Sequence, residues 1–167
     1  MDSDAERFRF QKTNELIRTY IGHVDALLEI GCGEGHQTSR LGEVSANVFA
    51  IDISNRAIIR ARQRYPRATY DVGGVFSAPL LSSHSFDLGA ACEVLYYIRE
   101  IPKFLARMEQ LGRFCLVTYV SVHHDRLAAA LANIVNPHFV DFEYHETRWH
   151  AAWWSTAGTS AADAGHT

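Results

Sequence analysis

Residues 27–41 read LLEIGCGEGHQTSRL, a mainly apolar run that enters three glycines spaced two apart and then a helix-like segment. This pattern is typical of a strand, a turn and a helix. Glycine adopts backbone angles that other residues avoid and lets a ligand approach the backbone closely. In a doubly wound sheet, ligands bind at the carboxyl ends of the strands, most often at the first strand-to-helix turn. Gly31, Gly33 and Gly35 therefore indicate a nucleotide-like ligand at this turn.

On both sides of this turn, apolar strand-like runs alternate with helical patterns. Ser54 is a good amino-terminal cap for a helix that Pro66 ends. Strands that are apolar throughout and alternate with helices indicate a parallel sheet covered on both faces. The predicted strands are 26–30, 47–51, 68–72, 86–92, 113–120, 138–144 and 148–154, and the predicted helices are 4–21, 35–41, 54–65, 94–111 and 125–134.

The link between the last two predicted strands is short, so they form a hairpin and the final strand runs antiparallel. We therefore predict an α/β fold, with a doubly wound, mostly parallel seven-stranded sheet, an antiparallel last strand and helices on both faces. Residues 1–154 form one domain that begins with a helix at about 4–21. Residues 155–167 are small and polar, which predicts a disordered tail.

The spacing of the glycines narrows the choice of ligand. The dinucleotide fingerprint GxGxxG would require glycine at position 36, but that residue is His36 and the third glycine is Gly35. Asp52 follows Gly31 by 21 residues and closes a predicted strand, where a carboxylate can accept hydrogen bonds from ribose hydroxyls. The alternative for Asp52 is that it only starts a turn before Ser54.

These residues carry a resemblance to a known family. The run EIGCGEG at 29–35, an apolar strand ending in Asp52, and SFDL at 85–88 opening a further strand resemble the class I S-adenosylmethionine-dependent methyltransferases. EVLYYI at 93–98 and the aromatic-rich leading helix are similar to the nodulation protein S group of N-methyltransferases. The resemblance covers roughly residues 6–120. It implies a Rossmann-like fold, S-adenosylmethionine as the cofactor, and methyl transfer to a small-molecule amine such as an amino sugar.

The resemblance also implies individual roles around the turn. The glycines would line the methionine part of the cofactor, although helix packing explains Gly35 about as well. Glu29 would order the loop through backbone contacts, and Phe8, Phe10 and Tyr20 of the leading helix would cover the cofactor. The cofactor-binding residues predicted in this way are Glu29, Gly31, Cys32, Gly33, Gly35, Asp52, Ile53, Asp71, Val75 and Phe76.

The segment after the third predicted strand departs from the family pattern. The family has an acidic residue there that receives the adenine amino group, but the run DVGGVF at 71–76 puts Gly74 or Val75 near that place. Three interpretations stay open. In the first, the loop is shifted and Asp71 binds the adenine amino group. In the second, backbone groups and Phe76 hold the adenine. In the third, the affinity for the cofactor is poor.

Methyl transfer from a sulfonium needs little covalent machinery, because the protein has only to align the reactants and exclude water. An amine acceptor must be neutral, so a carboxylate or imidazole within hydrogen-bond reach would assist. Glu93, in the turn after the fourth strand, is the first candidate; its alternative is a helix-start carboxylate favoured by the helix dipole. The predicted catalytic residues are Glu93, Tyr97 and His123, with Tyr96 and His124 as their neighbours.

Composition restricts the partners. The net charge is −3 and the arginines are spread along the chain, which disfavours binding to a nucleic-acid backbone. The amino terminus is polar and acidic, and no apolar run approaches the ~18 residues of a membrane span, so we expect a cytoplasmic protein with no membrane partner. The oligomeric state expected is a monomer or a homodimer.

Cysteine and histidine spacing does not predict a metal site. Three cysteines without a CxxC pair fit reduced thiols. His145 and His150 in HETRWH are five residues apart within a predicted hairpin, so they cannot share one helical face as in a zinc protease. Two alternatives to a methyltransferase are kept: a non-catalytic cofactor-binding member of the fold, and a nicotinamide-dependent oxidoreductase.

Overall fold

A computed structural model of the protein describes residues 3–156, within which seven strands form one sheet. The strands are β1 Val24–Ile30, β2 Ser45–Asp52, β3 Thr69–Val72, β4 Phe86–Cys92, β5 Gly112–Val120, β6 His138–Tyr144 and β7 Thr147–Ser155. Their order across the sheet is β3-β2-β1-β4-β5-β7-β6. Neighbouring strands are parallel except that β7 runs antiparallel to both β5 and β6. The predicted fold class, including the antiparallel last strand, is confirmed.

The helices connect these strands. They are α1 Asp4–Leu16, α2 His36–Leu41, α3 Asn55–Arg64, α4 Ile101–Leu111 and α5 His124–Leu131. A π-helical turn, Ile17–Ile21, extends α1, and short 3₁₀ turns occupy Pro79–Ser82, Leu95–Tyr97 and Ser121–His123. Ser54 caps α3, since its side chain accepts a hydrogen bond from the Ala57 N–H, as the sequence predicts.

The two faces of the sheet carry separate apolar cores. In β1, Leu28 and Ile30 join a core with residues of α4 and α5, whereas Leu27 joins a core with residues of α1 and α2. Successive residues of a strand point to opposite faces, so β1 is buried on both sides. The strand order reverses beside β1, because β2 and β3 follow it on one side and β4 and β5 lie on the other. A crevice for a ligand is expected at this switch point.

The region predicted as one helix over residues 94–111 is instead divided, and that prediction is wrong. A 3₁₀ turn at Leu95–Tyr97 is followed by a break, and α4 begins only at Ile101. Pro102 stands in the first turn of α4. A proline lacks the N–H that an interior helix position needs and disfavours helical angles in the residue before it, so the helix restarts there.

The leading helix lies against the last two strands. The ring of Phe8 is 5.2 Å from that of Tyr144, and the ring of Tyr20 stacks on Trp153 at 4.8 Å. At the other end of the chain, Ser155 is the last residue of β7, so this strand extends one residue into the segment predicted as a tail. Residues 157–167 of that segment lie outside the described residues.

No helix within residues 3–156 combines the length and the apolar character needed to cross a bilayer.

Candidate active site

A cavity of about 620 Å³ opens at the carboxyl ends of β1, β2 and β4, beside the switch point of the sheet. Eight of the predicted site residues line it: Gly31, Gly33, Asp52, Ile53, Val75, Phe76, Glu93 and Tyr97. The predicted residues that do not line it are Glu29, Cys32, Gly35, Asp71 and His123. The aromatic residues predicted to cover the cofactor, Phe8, Phe10 and Tyr20, do not line this cavity either.

The glycine turn between β1 and α2 forms one wall of the cavity. Gly31 has a φ of 76°, and a Cβ added there would lie 2.5 Å from Cγ2 of Val94. Gly33 has a φ of 52°, and an added Cβ would meet nothing within 4 Å. Gly31 therefore allows the close approach of Val94, whereas Gly33 leaves bare backbone facing open space.

Gly35 and Cys32 belong to the packing behind the turn. A Cβ on Gly35 would lie 3.0 Å from both Cα and Cβ of Ala61, so this glycine lets α3 approach the turn. Cys32 is buried among Ala50, Ala61 and Tyr70, and its burial raises the pKa of the thiol. Of the two interpretations of Gly35, the structure favours helix packing.

Asp52, the last residue of β2, holds the glycine turn in place. Its Oδ2 accepts a hydrogen bond from the Gly33 N–H at 2.9 Å, and its Oδ1 accepts one from the Ser54 N–H at 2.8 Å. An ionised carboxylate offers about four acceptor positions, so two remain for ligand hydroxyls. Asp52 lines the cavity and also starts the turn before α3, so the turn alternative is observed, and the contact with ribose hydroxyls stays a prediction.

Glu29 lies beneath the turn, with 3% of its surface exposed. Its Oε2 accepts a hydrogen bond from the Thr38 hydroxyl at 2.5 Å. Burial raises the pKa of Glu29 to about 7, and the Thr38 hydrogen bond opposes that rise. Glu29 thus connects β1 to α2 through a side chain, whereas the sequence predicted backbone contacts.

The loop after β3 forms the opposite wall. Val75 is buried at the base of the cavity, and Ile53 and Phe76 are exposed at its edge. Asp71 does not line the cavity, and its carboxylate binds backbone instead: its Oδ2 accepts a hydrogen bond from the Leu80 N–H and its Oδ1 one from the Val72 N–H, both at 2.9 Å. The geometry therefore gives no support to adenine recognition by Asp71.

Glu93 lies in the turn after β4 and is half-buried in the cavity wall. Its φ is 59°, a value that costs a non-glycine residue energy and persists where the surroundings impose it. The hydroxyls of Thr118 and Tyr96 donate to its two carboxyl oxygens at 3.3 and 3.4 Å. Burial raises the pKa of Glu93, while nearby Arg9 opposes that rise. A carboxyl with a raised pKa is better suited to accept a proton near neutral pH.

Two aromatic residues and a histidine surround Glu93. Tyr97 is 77% exposed and lines the mouth of the cavity. Its ring contacts that of Tyr96 at 4.5 Å, and Tyr96 stacks on His123 at 4.4 Å. His123 therefore reaches the site only through Tyr96 and has no direct contact with the cavity.

Arg9, which does not line the cavity, is a buried cation behind it that the sequence analysis did not single out. It lies on the buried face of α1 with Thr13 and Leu16, and its charge acts on both Glu29 and Glu93. Arg9, Thr13 and Leu16 have the spacing of one helical face. This spacing in the sequence could have predicted that Arg9 is buried together with the apolar face of the helix.

The residues of this cavity fit S-adenosylmethionine. The volume of the cavity lies within the range of about 300 to 1,000 Å³ that is typical of small-molecule sites. Bare backbone at Gly33 and the free acceptor positions of Asp52 suit a ligand that carries a ribose.

The profile of the family described as methyltransferase domain matches residues 28–114, more than half of the chain. The chain belongs to this family. The predicted family, S-adenosylmethionine-dependent methyltransferases, and the predicted cofactor class are thereby confirmed.

Individual relatives agree with this assignment. The chain is 31% identical over 101 residues to nodulation protein S of Sinorhizobium fredii, a match covering 59% of this chain and 47% of that protein. It is 26% identical over 114 residues to a probable S-adenosylmethionine-dependent methyltransferase of Mycobacterium tuberculosis, covering 67% and 41%. The chain thus spans less than half the length of these two relatives.

Solved structures show the same fold. The crystal structure of the N-methyltransferase NodS from Bradyrhizobium japonicum WM9, in complex with S-adenosyl-L-homocysteine, superposes with a TM-score of 0.75 at 20% sequence identity. The superposition covers 94% of this chain and 90% of that chain.

Proposed function

We propose that this chain transfers a methyl group from S-adenosylmethionine to the amine of a small molecule, such as an amino sugar. The observation that carries the proposal is one cavity in which the glycine turn and Asp52 face the same space as the carboxyl of Glu93. The first two groups suit an adenosyl cofactor, and the third suits an acceptor that must lose a proton.

When bound, S-adenosylmethionine supplies an activated methyl group on a sulfonium. The residues that would hold it are Gly31 and Gly33 through their backbone and Asp52 through its carboxylate. Val75, which is buried, and Phe76, which is exposed at the edge, contribute apolar surface to the wall of the cavity. Alignment and exclusion of water supply most of the rate enhancement that such a reaction needs.

Glu93 is the proposed general base. An amine attacks only with a free lone pair, so an acceptor that arrives as an ammonium ion must lose a proton before transfer, and the methylated ammonium product loses one afterwards. The hydrogen bonds from Thr118 and Tyr96 orient both carboxyl oxygens of Glu93. Tyr97 contributes a side of the acceptor pocket at the mouth of the cavity, and His123 supports Tyr96 from behind.

The mouth of the cavity favours a polar acceptor. Arg99 and Glu100, both exposed, line it beside Tyr97. Hydroxyl groups of a sugar can pair with such charged side chains, and a sugar face can pack on an aromatic ring. The names of the relatives support transfer to nitrogen, since the solved NodS protein is described as an N-methyltransferase.

The test is a transfer assay with S-adenosylmethionine carrying a labelled methyl group. The purified chain is offered a panel of amino sugars, with the corresponding N-acetylated sugars and hydroxyl-only sugars as controls. We expect label in an amino sugar alone, together with release of S-adenosylhomocysteine. Label in the hydroxyl-only sugars would contradict transfer to nitrogen.

A non-catalytic cofactor-binding protein is the second candidate. It is favoured by the position of Asp71, because both of its oxygens bind backbone N–H groups and are not directed at the cavity. Saturable binding of S-adenosylhomocysteine without transfer to any amine of the panel would support this candidate over the first.

A further inference from the structure

Three side chains near the carboxyl end of β5 are joined by hydrogen bonds outside the cavity at the switch point. Nδ1 of His150 lies 2.7 Å from Oδ1 of Asp141, and Nε2 of His150 lies 2.9 Å from Oγ of Ser121. The three residues belong to β7, to β6 and to the 3₁₀ turn that follows β5. None of them lines the cavity that contains Glu93. A hydroxyl, an imidazole and a carboxylate in this order form the Ser-His-Asp arrangement of hydrolytic enzymes.

The pairing of the strands places the carboxylate beside the imidazole. Asp141 and His150 are direct partners in the antiparallel ladder of β6 and β7, so their side chains leave the same face of the sheet. The ring of Tyr119 lies 5.3 Å from that of His150, and the ring of His124 lies 4.2 Å from it. Only 13% of the His150 side chain is exposed. These neighbours restrict the rotation of the imidazole and keep its two nitrogens directed at Asp141 and Ser121.

The two partners of His150 determine which nitrogen carries the proton in the neutral ring. A carboxylate only accepts hydrogen bonds, so Nδ1 donates to Asp141. Nε2 is then the acceptor, and the Ser121 hydroxyl donates to it. A serine hydroxyl in this position can give up its proton as its oxygen attacks, which makes it a stronger nucleophile.

The surroundings of Ser121 indicate the class of substrate. Ser121 is partly exposed, so its hydroxyl oxygen can be approached from solvent. The next residue, Val122, is 80% exposed and offers apolar surface to a short acyl chain. The three side chains supply a nucleophile, its base and a group that orients the base. They suit esters whose alcohol leaves readily, such as aryl esters.

We propose that Ser121, His150 and Asp141 form a hydrolytic site that cleaves small, activated carboxylic esters. Oγ of Ser121 forms a bond to the carbonyl carbon of the ester, and its proton passes to Nε2 of His150. The bond from that carbon to the alcohol oxygen then breaks, and the alcohol leaves with the proton from Nε2. The product of this half-reaction is an acyl-serine.

Water completes the reaction. It attacks the acyl carbon and gives one proton to Nε2 of His150, and the carboxylic acid departs as this proton returns to Oγ of Ser121. Asp141 touches no reacting atom. It is a positioning residue that holds the ring in one tautomer and stabilises the positive charge that the ring gains. The site needs no cofactor, so this inference does not rest on the proposed function.

The test uses p-nitrophenyl acetate and the full chain, without S-adenosylmethionine. Release of p-nitrophenol is followed by absorbance, and the protein is quenched in acid and mapped by mass spectrometry. We expect an acetyl group on Ser121, and we expect Ser121→Ala and His150→Gln to lower the release about tenfold or more. The mapped position is decisive because exposed histidines and lysines also react with this ester.

Two variants of Asp141 separate positioning from stability. Asp141→Asn should lower the release about tenfold or more, because an amide no longer selects one tautomer of the ring. Asp141→Glu restores a carboxylate and should recover part of the rate. A purely structural role would instead lower the melting temperature of Asp141→Asn while leaving the release unchanged below that temperature.

Ser83→Ala is the matched control. Oγ of Ser83 lies 3.1 Å from Nδ1 of His84, so this serine also has an imidazole neighbour. The same nitrogen lies 2.8 Å from the Leu80 carbonyl oxygen, which only accepts, so Nδ1 carries a proton and cannot take one from Ser83. Ser83→Ala should leave both the release and the acetylation of Ser121 unchanged.

The outcomes decide the proposal without reference to methyl transfer. Acetylation of Ser121 that is lost in His150→Gln supports the site. If no acetyl group is found on Ser121, or if Ser121→Ala melts cooperatively and releases p-nitrophenol at the original rate, the site is overturned. If His150→Gln shows no cooperative melting transition, Ser121→Ala, which removes a single oxygen atom, decides the question.

Discussion

The Gly33 N–H donates a hydrogen bond to Oδ2 of Asp52 across 2.9 Å and so ties the glycine turn after β1 to the end of β2. The other oxygen of the same carboxylate accepts from the Ser54 N–H at the start of α3. One side chain therefore fixes the backbone on two sides of the cavity. Its remaining acceptor positions face the space in which we place the ribose of the cofactor.

Asp52→Asn is expected to weaken binding of S-adenosylhomocysteine about tenfold or more, because an amide replaces a charged acceptor. Asp71→Asn is the matched comparison, since Asp71 also accepts two backbone hydrogen bonds but lies outside the cavity. We expect Asp71→Asn to lower the melting temperature with a much smaller effect on affinity. Isothermal titration and thermal melting of both variants check this, and equal losses of affinity would contradict the assignment to Asp52.

Gly31→Ala is expected to destabilise the fold by about 1–3 kcal/mol, through a strained positive φ and an overlap with Val94. Gly33→Ala should cost less, because its Cβ would enter open space. Adding Val94→Ala to Gly31→Ala should recover part of the loss. Urea unfolding of the two single variants and the double variant measures the coupling free energy, and strict additivity would refute the contact.

Glu93→Gln should lower kcat about 100-fold or more while leaving the affinity for S-adenosylhomocysteine unchanged, if Glu93 is the general base. The base must be ionised, so kcat/KM of the unmodified enzyme should fall as the pH falls through the pKa of Glu93. Because burial raises that pKa, this acid limb should lie above the ordinary carboxyl value of 4.5.

The pH–rate profile of the accepted amine checks the role of Glu93. The control variant is Glu143→Gln, which removes an exposed carboxyl of β6 that pairs with Arg148. An acid limb that persists in Glu93→Gln with undiminished kcat would assign the proton transfer to another group.

Glu29 should make stability depend on pH, because its pKa is about 7 in the folded protein against an ordinary carboxyl value of 4.5 in the unfolded chain. Between these values the unfolded chain releases the proton and the folded protein keeps it, so the unfolding free energy falls as the pH rises. Below 4.5 Glu29 contributes no pH dependence. Above 7 its full cost, on the order of 3 kcal/mol, is present.

Glu29→Gln should abolish this dependence and gain stability relative to the unmodified chain as the pH rises from 4.5 to about 8. Chemical unfolding at several pH values measures the difference between the two proteins. Glu146→Gln, which removes an exposed carboxyl in the β6–β7 turn, is the control. Parallel curves for the unmodified chain and Glu29→Gln would show that Glu29 is not the source.

Local patterns predicted the sheet well, because the central strands β1, β2, β4 and β5 each carry an apolar run. The bounds of β4 and β6 agree with the sequence interpretation, and the short link between β6 and β7 was enough to predict the antiparallel strand. The glycine turn could also be predicted from the sequence. Gly31 and Gly33 have positive φ, a conformation that favours glycine, and the glycines themselves are present in the sequence.

Features that depend on tertiary packing could not be predicted from the sequence. Asp71 has the residue type of an adenine-binding acid, but its orientation depends on the Leu80 N–H nine residues later. The buried hydrogen bond from Arg9 to Gln37 depends on the packing of α1 against α2, a contact between residues 28 positions apart. Pro102 indicates the break before α4, because a proline is tolerated in the first turn of a helix and not in its interior. The apolar pattern of residues 94–111 nevertheless favoured one continuous helix.

The most direct test of the account is calorimetric titration of the chain with S-adenosylhomocysteine, repeated with NADH. We predict saturable heat with a stoichiometry of one for S-adenosylhomocysteine, reduced in Asp52→Asn, and no heat for NADH. No detectable heat with S-adenosylhomocysteine at millimolar concentration would contradict the account.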